Sequence, residues 1–577
     1  MKFLIRAGHG LLWGLIAYIL WTLGYGILLF SFYGEEKILH TIVTSNPFIP
    51  LLQLWYYSQN LILLQISAGA LIITGLIISV AAYIIYRPRK NLFGDASFQD
   101  MKTLRKGKWF RKEGHVFGRI NDNILRCKDD RHHLIIGPTR SGKGAGYVIP
   151  NALMHKGSMV VTDLKGEIFA ATAGFRRKNG NQVFLFSPGA ENTNRYNPLD
   201  FIRQGRGNRT TDIQNIATIL VPENEGSENA VWQATAQQLM AGVISYILES
   251  AFYKNRRNLG EVNSFFNAGV DLQAMMKFII SREPELSKFT VESFNSYTAL
   301  ADRSAASALL DIQKALRPFK NERIVSATNT TDIDLRAMKR RPISVYLAPN
   351  ITDITLLRPL LVLFLQQLMD ILTLEHDPHS VPVYFLLDEF RQLQKMNEIM
   401  TKLPYVAGYN IKLAFIIQDL KNLDEIYGET ARHSLLGNCG YQLILGANDQ
   451  ETAEYASRSL GKRTIYYKTE TVTLELFGFN KRTKVEQVRE VDLMLPQEVR
   501  QLNEKKMILF VEGQRPIFAD KIRFFEMEPF KSAEMFSRTN KPIIPAVDYP
   551  APQPVPVLTE QYSVTTAPPD SPPTESG

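Results

Sequence analysis

Two stretches of the chain, residues 10–33 (GLLWGLIAYILWTLGYGILLFSFY) and 61–86 (LILLQISAGALIITGLIISVAAYIIY), contain no charged side chain. Each is longer than the ~20 apolar residues that a helix needs to cross a bilayer's hydrocarbon core, so the pattern predicts two membrane-spanning helices. A cleaved secretion signal is the alternative for the first, because Lys2 and Arg6 precede it. Its apolar run is longer than a signal's core of about 7–15 residues, and no small-x-small cleavage site follows. A buried core helix is the alternative for the second, and both its length and its lack of charge argue against that. Arg87, Arg89 and Lys90 follow the second span, whereas residues 34–60 hold only Lys37 against Glu35 and Glu36. Cations collect on the cytoplasmic side of a membrane. Both termini are therefore expected in the cytoplasm, residues 34–60 outside, and residues 1–90 as a two-span anchor.

From residue 131 the pattern changes to short apolar runs separated by helical stretches. Leu134–Ile136, Met159–Val161, Val183–Phe186, Ile343–Leu347, Val383–Leu387, Leu413–Ile417, Gln442–Leu445 and Met507–Val511 predict buried strands. Runs that are apolar on both faces and alternate with helices argue for a mostly parallel sheet covered on each side, an α/β fold. Between about 205 and 335 the strand signal vanishes, and stretches such as 231–248 and 304–316 show helical periodicity. This predicts an all-α domain, 205–335, inserted into an α/β domain made of 91–204 and 336–540. Residues 541–577 hold ten prolines and read as a disordered tail.

Composition refines this picture. The 577 residues are 45% apolar and 21% charged, which excludes a wholly disordered or fibrous chain. Two cysteines, Cys127 and Cys439, exclude a disulfide framework and a four-cysteine zinc site. The net charge is +9; the tail's balance of −3 leaves +12 on residues 1–540, which suits a nucleic-acid track. The densest basic run, Lys102–Lys112, has two readings: a segment lying on anionic headgroups, or a nucleic-acid contact to which Trp109 and Phe110 add stacking. Further clusters at Lys254–Arg257, Arg336–Arg341 and Lys481–Lys484 either line a pore or solvate a surface.

The candidate chemistry begins at His132-His-Leu-Ile-Ile-Gly137-Pro138-Thr139-Arg140-Ser141-Gly142-Lys143-Gly144-Ala145, a strand running into a glycine-rich loop and a helix. It fits the GxxxxGK core of a phosphate-binding loop, in which backbone N–H groups surround the β-phosphate and the lysine reaches the β/γ oxygens. The helix that follows adds its N-terminal dipole. Gly144 stands where Ser or Thr normally offers a hydroxyl to Mg²⁺. Adjacent His132 and His133 point to opposite faces of a strand and are poor joint metal ligands. About 245 residues downstream of the lysine, Val383–Leu387 ends in Asp388-Glu389. This suits a Walker B strand, with Asp388 as the Mg²⁺ holder and Glu389 as the group that polarises the attacking water. A third apolar strand, Leu413–Ile417, ends at Gln418-Asp419 and places an amide where RecA-like motors carry a γ-phosphate sensor.

These residues resemble the VirD4/TraG-type coupling proteins of bacterial type IV secretion and conjugation systems. The marks are Gly94-Asp-Ala-Ser-Phe98, the loop Gly137–Gly144 with Val148-Ile-Pro150 beyond, and Thr162-Asp-Leu-Lys-Gly-Glu167 with Thr172-Ala-Gly-Phe-Arg176. Tyr196-Asn-Pro-Leu199, Asp388-Glu-Phe390, Gln418 with Tyr427-Gly428, and Leu495-Pro-Gln-Glu498 complete them. The resemblance implies a RecA-like P-loop NTPase domain with an all-α domain behind two transmembrane helices, assembling as a homo-hexamer on the cytoplasmic face of the inner membrane. It implies ATP with Mg²⁺, and ATP-driven delivery of a relaxase–DNA complex or effector proteins to the channel components of the secretion system. Two other readings keep the same motifs: a substrate receptor whose nucleotide supports assembly, and an FtsK- or HerA-like membrane-anchored DNA translocase.

Overall fold

A computed structural model describes residues 2–44, 46, 48–86, 92–205, 207–222, 230–473 and 481–549. The chain divides into two compact units, Met1–Leu92 and Phe93–Gly577.

In the first unit, helices Lys2–Tyr33 and Leu61–Tyr86 are joined through two short helices, Glu36–Thr44 and Ile49–Tyr56. Leu12–Tyr33 and Leu61–Ile85 are long and apolar enough to cross a membrane. Small residues let the two long helices approach: a Cβ on Gly24 would lie 3.7 Å from that of Ala70, and one on Gly69 would lie 3.7 Å from Leu28. Close packing of this kind holds helices together where the surrounding solvent is as apolar as the side chains. Trp21, Tyr25, Leu29 and Ala70 are buried in the contact, and Trp21 Nε1 donates to the Ser67 carbonyl at 3.4 Å. Leu15, Ile27, Ile72 and Leu76 face outward, an apolar surface that water would penalise.

The second unit is built on thirteen strands: β1 (His115–Ile120), β2 (Asn123–Cys127), β3 (His133–Ile136), β4 (Ser158–Thr162), β5 (Gln182–Phe186), β6 (Ile343–Leu347), β7 (Val383–Leu387), β8 (Ile411–Ile417), β9 (Tyr441–Ile444), β10 (Lys462–Thr473), β11 (Lys481–Asp492), β12 (Lys506–Val511) and β13 (Ile517–Asp520). Eleven form one sheet in the order β2-β1-β13-β12-β9-β3-β8-β7-β4-β6-β5. From β9 to β5 neighbours run parallel; the four strands from β2 to β12 add antiparallel pairings. Every residue of β3, β4, β6 and β7 is buried, as helices covering both faces require. All eight strands expected from apolar runs are present.

The antiparallel strands β1, β2 and β13 carry polar residues among the apolar ones and fall outside that pattern. So does the hairpin of β10 and β11, twelve residue pairs long and polar on both faces. Its root is bonded to the start of the unit, where Thr464 N donates to the Gly94 carbonyl and Ala96 N to that of Lys462. A Cβ on Gly94 would collide with the Lys462 carbonyl, which explains the glycine.

Between β5 and β6 the described residues hold seven α-helices, from Asn208–Leu220 to Glu322–Ala327, whose core is continuous with that of the sheet. Helix Ile354–Thr373 has the length and hydropathy of a membrane span. It lies inside this core, however, with Leu360, Leu363, Phe364, Leu365 and Leu368 at 0% exposure and Phe364 stacked 5.7 Å from Phe186. Its apolar character comes from burial on several sides within the protein.

Two expectations change here. Trp109 is 2% exposed, packed edge-on against Phe117 and Tyr441; burial removes it from any stacking role, whereas Phe110 is only partly buried. The tail does not begin free at 541. Thr193 N donates to the Pro545 carbonyl at 3.0 Å, and Val547 N to that of Glu191 at 2.8 Å. Ser326 Oγ donates to the Asp548 carbonyl, and Arg323 Nε to Tyr549 Oη at 3.3 Å. Residues 541–549 therefore strap the loop after β5 to helix Glu322–Ala327, while 550–577 lie outside the described residues. Truncation after Asn540 is expected to lower stability by about 1–3 kcal/mol through the lost bonds, whereas truncation after Tyr549 leaves it unchanged. Thermal unfolding of the two truncated chains checks this.

Candidate functional site

The three sequence motifs fall on three adjacent parallel strands. β8 lies between β3 and β7, paired to both, so the loops leaving their carboxyl ends converge at one edge of the sheet. Ligands of open α/β sheets bind at such an edge.

β3 ends at Ile136, and Gly137 N donates to the Ile417 carbonyl of β8 at 3.2 Å. The loop then turns sharply: Arg140 has φ +65° and Gly142 φ +90°, and Ser141 N closes onto the Pro138 carbonyl at 3.1 Å. A Cβ on Gly137 would run into the Ser141 hydroxyl. Thr139 and Arg140 are exposed. Gly144 and Ala145 open a helix whose first turn, Gly144–Val148, is π-wound before continuing as Ile149–Met154. At Gly144 a Cβ would meet nothing within 4 Å, so no neighbour forbids the side chain usual at that position.

Lys143 is 8% exposed and folds back into its own loop, with Nζ donating to the carbonyls of Gly137 at 2.6 Å and Pro138 at 3.0 Å. Burial lowers its pKa, and the nearby carboxylates of Glu389 and Asp388 oppose that shift. Asp388 follows the buried strand β7; burial and its neighbour Glu389 push its carboxyl up to about 6, against the pull of Lys143. Glu389 has φ +50°, a left-handed conformation that a non-glycine residue adopts at a cost of about 1–3 kcal/mol. In that conformation Glu389 Oε2 accepts from Gln418 Nε2 at 3.2 Å, which joins the second motif to the third.

Asp163, at the end of β4 beside β7, belongs to the same acidic edge. It is 2% exposed, burial raises its pKa, and its Oδ2 accepts from Phe169 N at 2.7 Å. Its sequence signals are its place at the end of an apolar run and within the mark Thr162–Glu167. His132 and His133 do point apart. His132 Nε2 lies 2.9 Å from the Leu403 carbonyl, and His133 Nδ1 faces the hydroxyls of Tyr147 and Tyr384. Among the described residues no group of histidine, cysteine and carboxylate side chains forms a preassembled metal cluster.

A glycine-rich loop with an inward lysine, paired carboxylates and an amide, all on adjacent strand ends of a mixed α/β sheet, define a RecA-like P-loop nucleotide-binding protein. A family model described as type IV secretory system conjugative DNA transfer matches residues 79–546. The VirD4 protein of Rhizobium rhizogenes is 28% identical over 79% of this chain and 69% of its own length; a conjugal transfer protein TraG of Escherichia coli is 30% identical over 74% and 71%. The plasmid coupling protein TrwB shares the fold. Its complex with the non-hydrolysable ATP analogue ADPNP has a TM-score of 0.56 at 18% identity, covering 75% of this chain and 96% of that one. Its complex with ADP and Mg²⁺ has a TM-score of 0.56 at 16% identity, covering 76% and 95%. The chain belongs to the type IV secretory system conjugative DNA transfer family, with VirD4 and TraG coupling proteins among its relatives.

Proposed function

We propose that the protein is an inner-membrane coupling ATPase that recruits a relaxase–DNA complex or effector proteins to a type IV secretion channel and drives their transfer by ATP hydrolysis. In this reading residues 1–90 anchor it through two spans with both termini in the cytoplasm. Residues 91–204 and 336–540 form the motor and 205–335 an all-α domain. Six copies assemble as a homo-hexamer around DNA, whose phosphates the +12 of residues 1–540 attracts. The observation that carries the proposal is the convergence of the three motifs on β3, β7 and β8 in a chain whose family match spans 79–546.

The residues divide the chemistry as follows. Backbone N–H groups of the loop 137–145 surround the phosphates, apart from those of Gly137 and Ser141, which bond to the Ile417 and Pro138 carbonyls; Pro138 has none. Lys143 exchanges its two loop carbonyls for β/γ-phosphate oxygens. Glu389 takes the proton of the attacking water, and Gln418, already bonded to Glu389, orients that water and senses the γ-phosphate. Burial, and after it the neighbouring carboxylates Glu389 and Asp163, raise the pKa of Asp388, an electrostatic setting that a divalent cation relieves. Carboxylate oxygens are the donors Mg²⁺ prefers. Asp388 would hold the ion, whose charge would neutralise that of the phosphate oxygens; Gly144 supplies no hydroxyl to it.

A chain lacking residues 1–90 tests this reading. It is expected to be soluble and to hydrolyse ATP faster when single- or double-stranded DNA is present, while failing to support transfer in cells. Nucleotide binding without turnover would favour the receptor reading, and full transfer activity from the soluble chain would remove the role given to the anchor.

A further inference from the structure

Lys521, the first residue after β13, lies 380 positions from the phosphate loop in sequence and touches it in space. It is 9% exposed, and its Nζ donates to the Ser141 carbonyl at 2.9 Å and the Leu445 carbonyl at 2.5 Å. Leu445 N in turn donates to the Ile136 carbonyl at 2.8 Å, where β3 enters the loop. One ammonium thus ties the loop's crest to the end of β9 and, through it, to the loop's own root. The residues after Lys521 continue along the same surface. The Ile522 carbonyl lies 3.0 Å from where a Cβ on Gly146 would stand, which explains that glycine, and Phe524 N donates to the Ala145 carbonyl at 3.4 Å. Ile522 and Phe524 are buried with Ile149 and Leu153 of the helix that follows the loop.

We propose that Lys521 is a positioning residue for nucleotide binding, holding the peptide between Ser141 and Gly142 in the orientation that presents the Gly142 N–H to phosphate. In a trans peptide the carbonyl and the following N–H point to opposite sides. Anchoring the Ser141 carbonyl on Lys521 therefore aims the Gly142 N–H away from Lys521. Gly142, at φ +90°, is the residue most able to rotate out of that orientation. Ser141 cannot fix the peptide with its own side chain: its Oγ is buried and has no hydrogen-bond partner. Burial depresses the Lys521 ammonium to about 8, with Glu504 opposing and Arg523 reinforcing the shift. The fold thus keeps a desolvated cation at this point and satisfies it with two carbonyls, with no ion pair among the described residues, an arrangement suited to fixing backbone dipoles. Both bonds of Lys521 go to backbone carbonyls, at Ser141 and Leu445, so it acts through the loop.

The inference rests on the nucleotide-binding reading, so the test separates the two. Full-length protein in detergent is titrated with a fluorescent ATP analogue, and its ATPase rate is measured at saturating nucleotide. If the unaltered protein fails to bind the analogue, the nucleotide reading itself falls. If it binds, Lys521→Ala is expected to raise Kd and KM about tenfold while kcat changes less than about threefold, and Lys521→Arg, which keeps the donors, recovers most of the affinity. An unchanged Kd in Lys521→Ala overturns the inference. So does an affinity loss that Lys521→Arg fails to reverse, or one that comes with an equal fall of melting temperature in both variants.

Discussion

Lys143→Ala is expected to abolish ATP hydrolysis, with turnover falling at least about 10²–10³-fold, while the protein still inserts into membranes. Loss of one preorganised charge or donor from a transition state costs a factor of this order in other enzymes, and here the residue is the only lysine in the loop 137–145. Its Nζ waits 2.6 and 3.0 Å from two loop carbonyls, between the loop and the Asp388–Glu389 pair that tunes it. Glu389→Gln is a second, independent test of the same site. It keeps the shape that φ +50° places opposite Gln418 but removes the base, and turnover is expected to fall by about 10²–10⁴-fold with nucleotide still bound. The membrane unit holds neither residue, so fractionation of cells expressing each variant should recover it with the membranes, and steady-state hydrolysis by purified protein supplies the rate. Retained hydrolysis in either variant would move the site elsewhere.

What made this site readable is that its chemistry follows immediately upon unmistakable strands. β3, β7 and β8 are apolar on both faces because helices cover the sheet, and each ends in residues that burial alone would reject: a glycine-rich loop, two carboxylates, an amide. Three such ends also had to be neighbours, which order along the chain does not reveal; only the pairing of β8 with both β3 and β7 does. Lys521 had no comparable signal, being a single lysine after a four-residue antiparallel strand whose partner loop is 380 positions away. The hairpin β10–β11 escaped for the opposite reason: its strands are long, but polar residues at both sets of alternate positions leave no apolar alternation to detect. Trp109 shows how charge misleads at short range. Six cations surround it in sequence, yet the ring is drawn into the core by Phe117 and Tyr441 while the cations stay outside. The strap 541–549 was obscured by proline content, because prolines that cannot donate still accept through their carbonyls, as Pro545 does from Thr193.

Arg176→Met is expected to cost the second unit roughly 3–5 kcal/mol, among the largest penalties a single substitution there can produce. Arg176 is 1% exposed and has no carboxylate partner among the described residues. All five of its N–H groups are nevertheless used. Nε donates to Ser344 Oγ at 2.6 Å, Nη1 to the carbonyls of Ala152 at 2.9 Å and His155 at 2.5 Å, and Nη2 to the Gly157 carbonyl at 2.6 Å and Asn181 Oδ1 at 2.7 Å. Burial lowers its pKa to about 10, so the fold carries a desolvated cation compensated by aligned dipoles alone. Those dipoles include the carboxyl end of helix Ile149–Met154, where a cation is favoured. The guanidinium thereby fixes the turn 155–157 between the phosphate-loop helix and β4, and locks it to β6 through Ser344. Methionine fills a similar volume but leaves at least three buried carbonyls without donors, whereas lysine restores part of the bonding without the planar fork. The order expected in chemical denaturation is therefore Arg, then Lys, then Met, with nucleotide affinity falling in step because the phosphate loop leads directly into the loosened helix. A midpoint for Arg176→Met within error of the unaltered protein would show that the five bonds merely replace solvation, and that the Thr172–Arg176 mark of the family has another cause.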